Sequence, residues 1–178
     1  MANKQRLVVF KVGTEEFAAD ILLIKRVEVM RDITPVPETR SYVEGIMNLR
    51  GNLVPIIDLR KRLLANNSAG KRDNRIIIAN LEGKVCGLIV DDASEVIRVD
   101  SDEVEVPPDV IAEMGVDYVS GVINLGDRFI TLIDLRKALA GEITCELEEV
   151  MKVLSPSSVL RDRDIDGDDE AADLRAMV

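Results

Sequence analysis

Residues Tyr42 to Leu63, YVEGIMNLRGNLVPIIDLRKRL, return as Tyr118 to Leu139, YVSGVINLGDRFITLIDLRKAL, at an offset of 118 minus 42, or 76, with half of the aligned positions identical. No other feature constrains the chain as much. A period this long exceeds the roughly 20 to 50 residues of solenoid and propeller units, so it reads as duplication of a small subdomain. Each copy places an apolar run (Ile46 to Arg50; Val122 to Leu125) before a turn signal (Gly51-Asn52; Gly126-Asp127) and a second run (Leu53 to Ile57; Arg128 to Ile133). That is a β-hairpin pattern. Asp58-Leu-Arg-Lys and Asp134-Leu-Arg-Lys follow, each a carboxylate in the N-cap position of a short helix, which is a commoner use of such an aspartate than catalysis.

Upstream of each copy lies another pair of strand-like runs. Leu7 to Val12, a Gly13-Thr14 turn and Glu16 to Ile21 match Arg75 to Leu81, a Glu82-Gly83 turn and Lys84 to Val90, with further runs at Val27 to Arg31 and Val96 to Val99. Hydrophobic residues make up 47% of the chain and aromatics only 3%, so the interior must be built from Val, Ile and Leu, which favours strands. These patterns predict an all-β fold of two small barrels, approximately 1–66 and 67–140, joined near Ala65 to Lys71, where Asn, Ser, Ala and Gly cluster. Pro55 predicts an edge position or a bulge for its strand. From Glu142 to Leu154 apolar residues fall at spacings of three and four, which predicts a C-terminal amphipathic helix over 142–154 packed on the barrels. The remainder, 155–178, is polar and acidic and reads as a disordered tail.

The chemistry is bounded by what is missing. Without a single His, the chain has no histidine general base, no Ser-His or Cys-His nucleophile pair and no His-containing zinc site. Cys86 and Cys145 lack CxxC spacing and read as reduced thiols of a cytoplasmic protein. The formal charge of −10 and the scarcity of aromatics argue against nucleic-acid binding. The basic start is followed by an apolar stretch broken at Lys11 and Glu15, too short for a signal peptide, and no run approaches the roughly 18 residues of a membrane span. Any membrane role passes through a partner.

Three constellations invite functional readings. Val90-Asp91-Asp92 is compatible with a magnesium-binding receiver site, but the strands that follow contradict a receiver, which leaves turn carboxylates. Asp162 to Asp173 spaces oxygens like a calcium loop, yet Asp169 stands where an apolar residue packs and Asp173 where a bidentate Glu is needed, so a solvated acidic tail is the simpler reading. Arg50 in Asn48-Leu-Arg-Gly51 is the most informative, because the second copy has Gly126 there; the hairpin itself does not demand Arg, whose fixed donors suit a partner carboxylate or carbonyl. Nothing here assembles a catalytic, cofactor or metal site.

Phe10-Lys-Val-Gly-Thr-Glu-Glu-Phe17-Ala-Ala-Asp20-Ile21, Pro35-Val-Pro37, and the string from Tyr42-Val-Glu-Gly45 through Asn48-Leu-Arg50-Gly51 to Pro55-Ile-Ile-Asp58-Leu-Arg60 resemble the CheW-type chemotaxis coupling proteins over about Leu7 to Leu154. So do Gly87-Leu-Ile-Val-Asp91 and Gly121-Val-Ile-Asn. The resemblance implies two intertwined SH3-like five-stranded barrels within a domain over 1–154, no enzymatic activity and no cofactor. It also implies an adaptor binding the regulatory domain of a CheA-type histidine kinase and the cytoplasmic tip of methyl-accepting chemoreceptors. In such proteins a receptor helix lies in a groove between the barrels. The contributing positions carry over to Arg50 and to Ile24, with Val27 and Asn48 added by extrapolation as floor and rim, and the kinase contact is expected near Gly45. The alternative within the same architecture is a CheW-like adaptor of another sensory cascade; a receiver-fused regulator lacks the necessary chain length.

Overall fold

The computed structural model describes residues 3–37, 39–64 and 74–140. Eleven strands among these residues form two sheets. In chain order they are β1 (Lys4–Val12), β2 (Glu15–Asp20), β3 (Ile24–Val29), β4 (Val43–Leu49), β5 (Asn52–Asp58), β6 (Arg75–Leu81), β7 (Lys84–Val90), β8 (Asp92–Asp100), β9 (Val104–Glu105), β10 (Val119–Asn124) and β11 (Phe129–Ile133). Three short helices, α1 (Leu59–Leu64), α2 (Asp109–Glu113) and α3 (Leu135–Ala138), and two 3-10 turns at Ile21–Leu23 and Ser101–Glu103 complete the described elements. The helix expected over 142–154, the tail and the joint near Ala65 lie outside the described residues.

One sheet runs β8-β1-β2-β11-β10-β9 and the other β3-β6-β7-β5-β4. The two orders are related by the repeat. The hairpin β1–β2, from the first half, pairs with second-half strands, and β6–β7, from the second half, pairs with first-half strands. Each exchanged hairpin joins its host through a parallel ladder, β2 with β11 (Phe17 opposite Thr131) and β7 with β5 (Gly87 opposite Ile56). The sequence boundary near residue 66 therefore marks the repeat but not the sheets.

Closed barrels, expected from the sequence, are not what the described residues form. Closure requires the end strands of a sheet to pair with each other. Here β8 and β9 end one sheet and β3 and β4 the other. The outermost strand on the duplicated side is a fragment in both: the two-residue β9 beside β10, and a single bridge from Thr34 to Ile46 beside β4. So few backbone groups cannot complete a ladder.

Side-chain alternation divides the core into three layers. On β1, Val8, Phe10 and Val12 face a central cluster shared by both sheets, with Ile77, Leu88, Val90, Ile133 and Leu135, while Leu7 and Val9 face a second cluster with Ile123 and Ile130. On β6, Ile77 and Ala79 join the central cluster, and Ile76 and Ile78 pack with Met47, Val54 and Ile56 on the other face. Burial on both faces explains why the runs Leu7 to Phe10 and Ile76 to Ala79 are continuously apolar instead of alternating.

Gly45 and Gly121 occupy equivalent register shifts, opposite Ile56 and Leu132. At Gly45, φ is +143° and a Cβ would lie 2.0 Å from the Thr34 carbonyl oxygen; at Gly121 it would lie 2.4 Å from a Val104 methyl. In both copies the glycine lets the outermost chain segment cross closely over the bulge.

Pro55 is not at an edge: β5 lies between β7 and β4. Ile46, opposite Pro55, exchanges both backbone hydrogen bonds with Thr34 at 2.8 and 2.9 Å. The Pro55 nitrogen consequently points away from β4, toward β7, and the ladder to β7 begins only at Ile56.

Candidate functional site

The turn that holds Arg50 begins one residue earlier than the sequence pattern suggests. Leu49 pairs with Asn52, so the two-residue loop is Arg50-Gly51, with φ of 54° and 87°. Two positive φ values are the signature of a type I′ hairpin turn, whose hand matches the twist of the strands. Asn48 Oδ1 accepts the Gly51 N–H at 2.8 Å and holds the turn. Asn48, expected as a contact residue, is thus committed through that oxygen to shaping the loop that carries the exposed Arg50.

The same device occurs at the β6–β7 turn. Asn80 Oδ1 accepts the Gly83 N–H at 2.9 Å, and Glu82 and Gly83 have φ of 55° and 86°. Arg50 and Glu82 are the two non-glycine residues with positive φ among the described residues. Because β5 and β7 run parallel, with Ile56 opposite Gly87, both turns lie at the same end of the same sheet. The 3-10 turn Ile21–Leu23 reaches that end too: β3 runs antiparallel to β6 with Ile24 opposite Ala79, two residues before the end of β6, so the turn that feeds β3 lies at this end. Leu22 is 87% exposed. In order across this end of the sheet stand Leu22, Glu82 and Arg50.

The residues expected to share a groove are distributed differently. Ile24 is 5% exposed and belongs to the central core, as a buried neighbour of the Leu22 that does face solvent. Val27 is half-buried on β3 against the same core. β3 and β4 are opposite edges of their sheet, so Ile24 and Val27 are four strand spacings, about 19 Å along the sheet, from Asn48 and Arg50. Gly45 is buried beneath Thr34 and Pro35. Leu22 and Glu82 stand outside the set expected from the sequence. Glu82 had a signal, since Asn80-Leu-Glu-Gly83 repeats the form of Asn48-Leu-Arg-Gly51; Leu22 had none that separates it from Ile21, Leu23 and Ile24.

The remaining charged clusters are structural. Asp58 Oδ1 accepts the Arg60 backbone N–H at 3.0 Å, and Asp134 Oδ1 accepts that of Arg136 at 2.9 Å, which is the capping role expected of them. Arg60 extends from Asp58 to Asp91, whose other oxygen accepts the Gly13 N–H at 2.6 Å. Asp91 thereby ties the β1–β2 turn to α1. Asp58, followed by Asp91, also raises the Arg60 pKa, so this guanidinium is a permanent charge. On the other sheet Arg128 bonds Glu16 at 2.8 Å and Glu95 at 2.9 Å and fastens the exchanged hairpin β1–β2 to second-half strands. What the described residues offer a partner is surface, charge and exposed apolar side chains, Leu22, Val106, Met114 and Phe129 foremost among them.

A family profile described as CheW-like domain matches residues 6–143. The chain is 33% identical over 141 residues, 77% of its length and 83% of the relative's, to a chemotaxis protein CheW of Treponema pallidum. It is 29% identical over 148 residues, 83% of its length and 89% of the relative's, to a chemotaxis protein CheW of Klebsiella aerogenes. Among solved structures it is similar to the scaffolding protein TtCheW of Thermoanaerobacter tengcongensis, with a TM-score of 0.69 and 35% identity, over 80% of this chain and 96% of that one.

Proposed function

This chain belongs to the CheW-like domain family, a family of chemotaxis scaffolds and not of enzymes, and from that premise we propose that it couples methyl-accepting chemoreceptors to a CheA-type histidine kinase. It is a non-catalytic adaptor acting in the cytoplasm, and it meets the membrane only through the receptors. Among its described residues no helix is long and apolar enough to cross a membrane. The domain extends over 1–154, with 155–178 as an appended acidic tail.

The observation that carries this reading is Arg50. An L-residue in the left-handed region costs about 1–2 kcal/mol, and the duplicated hairpin has Gly126 at the aligned position, yet the first hairpin holds an exposed arginine there. A turn that could be glycine is occupied by an exposed arginine, whose planar, bidentate set of donors suits a carboxylate or a free carbonyl on a receptor helix. Asn48 acts through its turn, and Val27 supplies apolar support at the opposite, β3 edge of the same sheet. Kinase contact near Gly45 falls to the exposed Thr34 and Pro35 that cover it.

Calorimetric titration with a recombinant cytoplasmic-tip fragment of a receptor tests the reading. Wild type binds, and Arg50→Ala, folded by circular dichroism, binds about tenfold more weakly. Co-purification of both receptor and CheA-type kinase separates chemotaxis from another sensory cascade. Equal affinity of the folded variant and wild type would remove Arg50 from the contact.

A further inference from the structure

We infer that Glu82 and Leu22 join Arg50 in one recognition row, and that this row reads the charge register of a partner helix: a basic residue and an acidic residue two turns apart, with an apolar residue one turn before the basic one. The inference rests on the receptor-coupling reading above and deepens it by naming two further residues and the pattern they select.

Three observations converge. The left-handed non-glycine residues among those described are two, and they occur at one end of one sheet, in turns built alike by Asn48 and Asn80. They carry opposite charges and are both exposed. A turn needs neither Arg nor Glu in that position; Gly, Asn or Asp would serve with less strain. Strain kept at paired, aligned, oppositely charged positions points to use of the side chains. The third observation is Leu22, nearly fully exposed at the same end and adjacent to Glu82's strand.

The spacing selects the occupant. Counted across β6, β7, β5 and β4, Glu82 and Arg50 are two to three strand spacings apart, roughly 10 to 14 Å. Residues i and i+7 or i+8 of a helix share a face and are separated by about 10.5 to 12 Å. A strand laid across the row would present alternate residues about 6.6 Å apart and would put a third side chain between the two charges. A helix with Lys or Arg over Glu82 and Asp or Glu over Arg50 satisfies both, and its next apolar residue one turn away, about 5.4 Å, meets Leu22. Reversing the helix would set like charges together, so the row also fixes polarity.

Calorimetry with the receptor-tip fragment provides the test. Glu82→Lys should bind roughly tenfold more weakly and Glu82→Gly roughly threefold more weakly, although the glycine variant relieves the left-handed strain and melts at a higher temperature. Lower affinity in a more stable protein is an outcome that a purely structural role for Glu82 does not produce. Leu22→Ser should weaken binding without altering its salt dependence, whereas Glu82→Gly should reduce that dependence. If Arg50→Ala weakens binding while Glu82→Lys and Leu22→Ser match wild type, the row is wrong and the receptor-coupling reading survives. If folded wild type fails to bind the fragment, both fall.

Discussion

Arg60 grips Asp58, two residues before it, with both Nε and an Nη at 2.9 Å, while the duplicated pair Arg136 and Asp134 keeps one longer contact of 3.5 Å at the surface. The same Asp-Leu-Arg-Lys sequence has become a buried bidentate ion pair in one half and an exposed cap in the other. The difference is Asp91, which approaches Arg60 from the exchanged hairpin at 3.3 Å.

Removing one member of a buried pair leaves the other charge without compensation. Arg60→Ala should therefore destabilise the protein by about 3 kcal/mol, whereas Arg136→Ala should cost under ~0.5 kcal/mol. Urea titrations of the two variants check this. Equal losses would mean that the buried network does not anchor α1.

Gly45→Ala drives a methyl group into the Thr34 carbonyl at a φ that side chains avoid. A loss of roughly 3 kcal/mol or failure to fold is expected, against about 1 kcal/mol for Gly126→Ala, whose φ is +90° but whose surroundings are open. Thermal melts of both variants make the comparison, and any weakening of kinase binding by Gly45→Ala should track the lost stability. A folded, fully stable Gly45→Ala protein with weaker kinase binding would instead make Gly45 itself a contact.

Arg128, by hydrogen bonding and then by charge, lowers the Glu16 pKa from 4.5, with a further contribution from Lys11. A carboxylate with a depressed native pKa stabilises the fold above its unfolded value and loses that contribution as pH falls through the native one. Acid titration of wild type should thus show stability falling below about pH 4.5, and Arg128→Ala should fall less steeply over the same interval. Parallel curves would show that this three-way surface cluster adds nothing to the attachment of β1–β2.

Burial pushes the Cys86 thiol up from 9.0 to about 12. The native protein should leave Cys86 unmodified by iodoacetamide at pH 8, as read by peptide mass spectrometry, and react there only in denaturant. Because the native pKa is the raised one, the thiol's contribution is complete below pH 9 and is lost as pH climbs from 9 toward 12. Rapid native labelling at Cys86 would mean that the central core opens readily.

The hairpins, the caps at Asp58 and Asp134, the β-rich class and the duplication were all legible in the chain, because each depends on neighbours within a few residues. Pro55 signals an edge or a bulge, and the chain alone does not say which: β5 is interior, its ladder with β4 carries a register shift, and which side the Pro55 nitrogen faces depends on Ile46 bonding to Thr34, a partner twelve residues upstream. Ile24 and Leu22 are both aliphatic and two apart, and only the way β3 departs from the 3-10 turn decides which is buried.

Local order along the backbone thus determined what each piece is: strand, turn or cap. It did not determine ownership. The two hairpins β1–β2 and β6–β7 are similar enough that either could complete either half, and their exchange is settled by long-range parallel ladders and by a central core to which both sheets contribute. That exchange sets the Glu82 turn beside the Arg50 turn. A recognition row made from both repeats belongs to the tertiary structure, because no segment of the chain contains it.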